Sequence, residues 1–301
     1  HLLAMVASAA LACSGCNTGK QPENKPNIIF ILIDDLGWKD VGFMGSQYYE
    51  TPNIDRLARG GMIFTQAYAN AANSAPTRAC LLTGQYTPRH GLFTVSNSDR
   101  GNPEDRRLIP VKNSEEISPD KITINEALKP AGYICAAIGK WHIGLSPEQH
   151  GFDIGFDRDK LGYKGGHFTA EGEYLTDRLT DEAIKFIRDN NPAETGKPFF
   201  LCLSHHAVHT PIQAKKDISL KYEQKPGDGC HGNAYYAAMI ESVDQSVARV
   251  NQTLNELGLG DNSILIFFSD NGGHGTYTCQ KPLRGGKGMF YEGGIREPMF
   301  V

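Results

Sequence analysis

Pro-Asn-Ile-Ile-Phe-Ile-Leu-Ile, residues 26–33, is an unbroken apolar run that leads into Asp34-Asp35-Leu36-Gly37. A β-branched run without polar alternation is typical of a parallel strand that is covered on both faces. Asp34 and Asp35 then lie at the carboxyl end of that strand, where open α/β sheets bind their ligands. The stretch therefore predicts a buried parallel strand that brings two carboxylates to one edge of a sheet.

The same order, an apolar run followed by polar residues, recurs along the chain. Residues 133–139, 199–203 and 263–268 are predicted strands, and Lys140, His209 and Asp270 follow them. Helical patterns separate the strands at residues 51–60, 122–131, 175–189 and 233–257. Residues 99–120 are predicted to form a surface loop, and residues 151–168 an irregular segment. The alternation predicts an α/β fold with a mostly parallel central sheet sandwiched between helix layers.

Composition excludes several broad functions. The chain of 301 residues is 40% hydrophobic and 21% charged, with a formal net charge of -4, as in ordinary globular proteins. No long basic run is present, which argues against nucleic-acid binding. No phosphate-binding P-loop or GxGxxG follows the first predicted strand, so a nucleotide-binding function is disfavoured.

The N-terminal residues resemble an export signal. Residues 2–12 are apolar, of signal-peptide length and too short to span a bilayer, and Cys13-Ser14-Gly15-Cys16 follows them. Small residues before a cysteine resemble a bacterial lipoprotein cleavage site, with Cys13 or Cys16 as the lipidated residue. A redox or metal-binding CxxC is disfavoured, because only the polar tether of residues 17–25 follows. We expect residues 1–16 to be an N-terminally clipped signal that places the protein in the bacterial cell envelope, where a lipid anchor is its one membrane contact.

The remaining cysteines show irregular spacing that matches no metal-binding knuckle. Cys135 and Cys202 lie in strand-like runs and are predicted to be buried apolar residues.

Asn73-Ser74-Ala75-Pro76-Thr77-Arg78 opens a second informative segment, which continues to Leu82-Thr83-Gly84. Pro76 suits the first turn of a helix and Gly84 its end. Ser74 then lies at the helix N-terminus, where free N–H groups favour anions, and Arg78 lies one turn further on. On these residues alone, Ser74 could equally be an ordinary N-cap.

Ser-x-Pro-x-Arg followed by Leu-Thr-Gly resembles the signature of the type I sulfatases, members of the alkaline-phosphatase-like superfamily. In that family a cysteine or serine at this position is oxidised to Cα-formylglycine, so this chain resembles the serine type, among bacterial arylsulfatases and glycan sulfatases. The resemblance runs from about Pro26 to Val301. It implies that residues 26–301 form the N-terminal catalytic domain, truncated at its C-terminal end, and that a smaller C-terminal subdomain is missing.

A metal site is predicted from Asp34, Asp35, Asp270 and Asn271. Hard oxygen ligands suit Ca²⁺, and Mg²⁺ less well, although Asp after a strand is also common turn chemistry. The resemblance implies that these residues are calcium ligands and that the residue formed from Ser74 completes the shell.

The resemblance also implies a catalytic set. Lys140, His209 and Lys287 would contact the sulfate, and Arg78 and His142 would contact the formylglycine. His209 would protonate the leaving oxygen, and His142 would take a proton from the second hydroxyl of the hydrated aldehyde. Three further candidates for substrate contacts are His206, His274 and Arg284.

The implied function is hydrolysis of sulfate esters on carbohydrates, after maturation by a formylglycine-generating enzyme. Residues 151–168 and 205–216 are expected to contact the sugar through Tyr163, His167 and Gln213. One alternative is a phosphate or phosphonate monoester hydrolase of the same superfamily, although Asn271 stands where the two-zinc relatives would have a histidine. The other is an unmatured, glycan-binding surface lipoprotein.

Overall fold

A computed structural model describes residues 25–301 of the chain. The predicted signal and most of the tether therefore lie outside the described residues. Within these residues the strands are β1 (Asn27–Ile33), β2 (Ile63–Tyr68), β3 (Ile134–Gly139), β4 (Ile154–Phe156), β5 (Phe199–Ser204), β6 (Ser263–Ser269) and β7 (Arg296–Phe300). They form one sheet in the order β2-β7-β6-β1-β5-β3-β4. The strands from β6 to β4 are parallel, and β7 is antiparallel to both β6 and β2, so the predicted mostly parallel sheet is confirmed.

Helices cover both faces of this sheet, as predicted. They are α1 (Pro52–Gly60), α2 (Ser74–Thr83), α3 (Thr87–His90), α4 (Ile124–Leu128), α5 (Leu175–Asp189), α6 (Pro192–Thr195), α7 (Lys216–Glu223), α8 (Ala234–Glu256) and α9 (Glu292–Ile295). Side chains of β1 alternate between the faces, since Ile29 and Ile31 pack with α5 and α8, while Ile28 and Phe30 face α2. No helix in the described part of the chain combines the length and the apolarity needed to cross a bilayer.

The pairing of the strands determines which polar residues meet. Ile33 at the end of β1 is registered with Ser269 at the end of β6. The next residue along each strand is an aspartate, so Asp34 and Asp270 emerge side by side at the carboxyl edge of the sheet. This register converts two motifs that are far apart in sequence into one acidic cluster.

Gly139 shapes the same edge on the other side of β1. Its φ of +101° lies in the left-handed region, and a Cβ there would lie 1.9 Å from the carbonyl oxygen of Ser204. A side chain at this position would therefore push β3 away from β5. The close approach lets the Lys140 N–H donate to the same carbonyl oxygen at 2.8 Å.

Several predicted elements differ from the observed ones. The helix predicted over residues 122–131 is limited to α4 and a 3-10 turn, Lys129–Ala131, because Pro130 interrupts regular helical bonding. Residues 151–168 were predicted to be irregular but contain the short strand β4. Strand β2 and helix α7 were not predicted.

Helix α1 begins as predicted but is capped by a distant residue. Thr51 makes no capping bond, because its hydroxyl accepts from Gly42 N and donates to Asp55. The backbone N–H groups of Asn53 and Ile54 instead donate to Asp244 Oδ1 of α8 at 2.9 and 2.8 Å. A carboxylate at a helix N-terminus is favoured by the helix dipole and by the free N–H groups, so α8 stabilises the start of α1.

Asp244→Ala is expected to lower the free energy of unfolding by about 2 kcal/mol, since the buried Ile54 N–H and the part-buried N–H groups of Asn53 would lose their acceptor. Asp244→Asn should lose less stability, because its amide oxygen still accepts hydrogen bonds.

The stability contributed by Asp244 should also depend on pH. Burial raises the pKa of Asp244 from 3.8 to about 6, although its hydrogen bonds act to lower that pKa. A raised carboxyl pKa means that this group's contribution to stability is lost as pH rises from about 4 to about 6. In urea unfolding, the stability of wild type relative to Asp244→Asn should fall over that interval, and a difference that is independent of pH would contradict the assignment.

Candidate active site

Three buried carboxylates meet at the carboxyl edge of the sheet. One oxygen from each of Asp34, Asp35 and Asp270 lies within 4.8 Å of the others. Asn271 donates from Nδ2 to Asp35 Oδ1 at 2.8 Å, which turns its amide oxygen toward Ser74. Asp35 has a φ of 63°, a conformation that is uncommon for residues other than glycine and is often found at functional sites. The cluster presents only oxygen donors, which is the donor set of Ca²⁺ and Mg²⁺.

The pKa values of Asp34 and Asp270 shift in opposite directions. Burial favours the neutral form of Asp34, but the positive charges of Lys140 and Arg78 outweigh it and hold the pKa of Asp34 well below its usual range. Burial and then the charge of Asp34 raise the pKa of Asp270 to about 7. A buried carboxylate with so high a pKa is stabilised by an additional cation, so the residues present fit a metal site.

Each carboxylate is bound by a cationic side chain. Lys140 Nζ contacts Asp34 Oδ2, and Lys287 Nζ lies 2.6 Å from Asp35 Oδ2. The Nε and Nη2 atoms of Arg78 donate to Asp270 Oδ2 at 3.0 and 2.8 Å.

Arg78 also joins neighbouring strand ends. Its Nη1 donates to the carbonyl oxygen of Lys140 at 2.8 Å and contacts Ser204 Oγ. These hydrogen bonds direct the Arg78 side chain to Asp270 and to the ends of β3 and β5, and its implied contact with the residue formed from Ser74 stays a prediction. Its guanidinium therefore orients the carboxylate cluster.

Ser74 is the first residue of α2 and is 2% exposed. Its Oγ lies 2.7 Å from Asp34 Oδ1 and 3.2 Å from Asn271 Oδ1. Asn73 occupies the N-cap position, so the interpretation of Ser74 as an ordinary cap is wrong. Its side chain points instead into the oxygen-rich cluster.

A cavity of about 690 Å³ opens in front of Ser74. Its wall includes His142, His209 and Lys287, together with residues 95–97, 99 and 100 of a neighbouring loop. Burial, and then the charges of Lys140 and Arg78, lower the pKa of His142 to about 4, so this imidazole is neutral and able to accept a proton near neutral pH. His209 Nδ1 lies 2.7 Å from the carbonyl oxygen of Thr210, which leaves Nε2 on the other side of the ring, 3.9 Å from Asp35 Oδ2.

The three further candidates for substrate contacts, His206, His274 and Arg284, do not line this cavity. His206 is 6% exposed and its Nε2 lies 2.8 Å from Asp157 Oδ1. His274 packs against Tyr277, and the guanidinium of Arg284 lies 3.8 Å from the ring centre of Tyr291. Each of these side chains contacts a protein partner, and none of the three is among the residues that line the cavity, so their role in substrate binding stays a prediction. Their partners are distant in sequence or lie in irregular loops, where orientation cannot be deduced from spacing.

Two of the three residues expected to contact the sugar, Tyr163 and His167, are buried. Tyr163 is 1% exposed and donates to Glu173. His167 is 2% exposed, and its backbone N–H donates to Gln213 Oε1 at 2.8 Å. Tyr163, His167 and Gln213 are not among the residues that line the cavity, and because Gln213 is exposed its expected contact with the sugar stays a prediction.

Two features of the structure were not predicted from the sequence. Cys230 and Cys279 form a disulfide with Cα atoms 6.0 Å apart, whereas no pairing had been predicted. The signal available was that these two cysteines lie outside strand-like runs, while Cys135 and Cys202 are buried as predicted. The second feature is the contribution of residues 95–100 to the cavity, for which the sequence offers no signal.

Comparison with known proteins identifies the family. The family model described as Sulfatase matches residues 26–301. The chain belongs to the sulfatase family. A sulfatase of Formosa agariphila is 34% identical over 99% of this chain and 66% of its own length. N-acetylgalactosamine-6-sulfatase of Canis lupus familiaris is 30% identical over 99% of this chain and 60% of its own length. The chain thus spans less than two thirds of either sulfatase.

Several solved structures share the fold of this chain. The crystal structure of Ps i-CgsB in complex with k-i-k-neocarrahexaose superposes with a TM-score of 0.74 at 34% identity, over 92% of this chain and 65% of that one. PsFucS1 sulfatase from Pseudoalteromonas sp. gives a TM-score of 0.67 at 28% identity, over 92% and 62%. The phosphonate monoester hydrolase of Agrobacterium radiobacter, at 19% identity, over 92% and 68%, and a TM-score of 0.65, shares the fold alone.

Proposed function

We propose that this chain carries the catalytic centre of a sulfuric ester hydrolase that acts on sulfated carbohydrates, with Ser74 converted to formylglycine. The observation that carries the proposal is the position of the Ser74 hydroxyl. It lies between Asp34 and Asn271, and at the same time borders the cavity that contains His142, His209 and Lys287. A residue at this point contacts both an oxygen-rich cation site and a substrate that enters from solvent.

A single hard cation fits the oxygen cluster. Asp34, Asp35, Asp270 and the amide oxygen of Asn271 would hold it, and Ca²⁺ suits four protein oxygens of mixed type better than Mg²⁺, which retains more water. When bound, the cation supplies charge stabilisation for the attacking group and for the sulfate oxygens. The positive charges of Lys140, Arg78 and Lys287 lie against the three carboxylates of the cluster and would help to offset the negative charge that develops beside it.

The two histidines in the cavity wall, His209 and His142, would each carry out one of the two proton transfers. Cleavage of the S–O bond leaves an alkoxide on the sugar, and protonated His209 would donate a proton to it from Nε2, the ring nitrogen that is not engaged by Thr210. His142 is neutral above about pH 4 and so is suited to accept a proton when sulfate is released. The hydrated formylglycine would supply one hydroxyl for attack on sulfur and a second whose deprotonation expels sulfate and restores the aldehyde.

The substrate class and the location are supported by separate observations. One structural relative binds k-i-k-neocarrahexaose, and one curated relative is an N-acetylgalactosamine-6-sulfatase, both at 30% identity or more. The Cys230–Cys279 disulfide is typical of an oxidising compartment, in agreement with the lipoprotein-like residues 1–16. We therefore propose action in the bacterial cell envelope on sulfated glycans, with a formylglycine-generating enzyme as the maturation partner.

The test is a substrate panel assayed on the matured protein with Ca²⁺. It comprises sulfated mono- and disaccharides, a sulfated polymer, an aryl sulfate and a phosphonate ester. We expect kcat/KM to be highest for a sulfated saccharide. A preference for the phosphonate would contradict the reaction class, and tight saccharide binding without turnover by matured protein would favour the glycan-binding alternative.

A further inference from the structure

A loop that is held by hydrogen bonds forms part of the wall of the cavity in front of Ser74. Residues 95–97, 99 and 100 line the cavity together with Ser74. The side chain of Asn113 holds this loop, because its Oδ1 accepts from Phe93 N and Thr94 N at 2.7 and 3.1 Å, and its Nδ2 donates to the carbonyl oxygen of Thr94 at 3.1 Å. The same Nδ2 contacts the carbonyl oxygen of Ser96. One side chain thus satisfies backbone groups along the start of the loop.

Ser96 lies at the tip of this arrangement in an unusual conformation. Its φ is 61°, in the left-handed region that costs a non-glycine residue of order 1 kcal/mol. Such conformations persist when the surroundings determine them, and they concentrate at ligand-binding positions. Here the hydrogen bonds of Asn113 hold the backbone around Ser96, so this part of the wall has its conformation before a ligand binds.

Arg100 is the exposed cation of this wall. Its Nη2 donates to Thr94 Oγ1 and to the carbonyl oxygen of Val95 at 3.1 and 3.0 Å, which anchors the guanidinium within the loop. Among the residues that the structure describes, no carboxylate pairs with Arg100, and its Nε and Nη1 have no protein acceptor. The neighbouring carboxylate of Asp99 lies 3.7 Å from Arg106 instead.

We infer that Arg100 binds an oxyanion substituent of the glycan, separate from the sulfate ester that is cleaved at Ser74. A guanidinium that is anchored through one nitrogen and free at the others is suited to bidentate contact with a sulfate or a carboxylate. Glu115, also in the wall, repels anions and suits sugar hydroxyls, so the oxyanion lies at the Arg100 part of the cavity. The inference rests on the proposed function and adds to it that the substrate is a glycan with at least two anionic groups.

Arg100→Ala tests this assignment, and Arg107→Ala is its matched control. Arg107 lies in the same segment, is exposed and is absent from the cavity wall, so both variants remove one positive charge. The substrates are a monosulfated disaccharide, a disulfated one, and a monosulfated one with a uronate. The measured quantity is the ratio of kcat/KM for each dianionic substrate to that for the monoanionic one.

In Arg100→Ala this ratio is expected to fall about tenfold or more, because a charge-assisted contact is lost. Arg107→Ala should leave the ratio unchanged, and raising the salt concentration should lower the wild-type ratio. A fall for only the disulfated or only the uronate substrate would identify the oxyanion as sulfate or carboxylate. Equal ratios in wild type and Arg100→Ala for both substrates would overturn the inference.

Binding measurements keep this test separate from the proposed function. If the matured wild-type protein cleaves no sulfate ester, the proposed function fails. The affinities of the disulfated and monosulfated disaccharides, measured by calorimetry, then still report on Arg100. Loss of the preference in Arg100→Ala would support the subsite, and no preference in wild type would overturn it.

Discussion

Ser74→Ala is expected to reduce kcat for sulfate esters by about 10⁴-fold or more, since no other group can replace a missing nucleophile. The fold should survive, because within residues 25–301 the Oγ atom hydrogen-bonds only to Asp34 and Asn271 and caps no helix N–H. Thr83→Ala is the matched control. It removes a hydroxyl from the other end of α2, where Thr83 Oγ1 donates to the carbonyl oxygen of Ala79, and it should retain nearly full activity.

Conversion of Ser74 to formylglycine would leave a chemical signature in the protein. In active protein from its native host, the peptide that contains residue 74 should be lighter by two hydrogens than the encoded sequence, and it should react with carbonyl reagents. Peptide mass spectrometry measures both. Fully active protein in which Ser74 is unmodified would rule out the formylglycine mechanism while leaving the family assignment intact.

Removal of the cation is the second change for which we expect a large effect. Chelation, or the substitution Asp35→Asn, should lower kcat/KM at least a hundredfold, because the carboxylate cluster loses the charge that stabilises the transition state. Stability should respond differently. In metal-free protein Asp35→Asn removes one of three clustered carboxylates but also the charged partner of Lys287, so the two effects on stability should largely offset each other.

Thermal unfolding with and without Ca²⁺ separates these effects. Wild type should be stabilised by Ca²⁺ at a hundred times its Kd by about 2.7 kcal/mol, and Asp35→Asn should lose most of that response. Asp244→Asn, a buried carboxylate outside the cluster, is the control and should respond to Ca²⁺ as wild type does. Activity that withstands chelation, or that Zn²⁺ but not Ca²⁺ restores, would contradict the proposed cation.

Local chemistry explains which predictions were met. The strand at residues 26–33 and the helix at residues 175–189 follow from hydrophobic pattern, which is a property of neighbouring residues. The placement of Asp34 and Asp270 at one edge follows from parallel pairing, which the alternation of strands and helices already implied. Strand β2 was not predicted because its half-exposed sequence lacks a continuous apolar run and its pairing is with the distant strand β7.

The sequence by itself determined the α/β class, the family and the residues that form the acidic cluster, because these depend on residue type, periodicity and order along the chain. Only the tertiary structure decided how each side chain is engaged. It pairs His206 with Asp157, bonds Arg78 to Asp270, and brings Arg100 and His209 to the same cavity. Such contacts join segments that are far apart in the chain, and their geometry depends on the packing of the whole sheet and its loops.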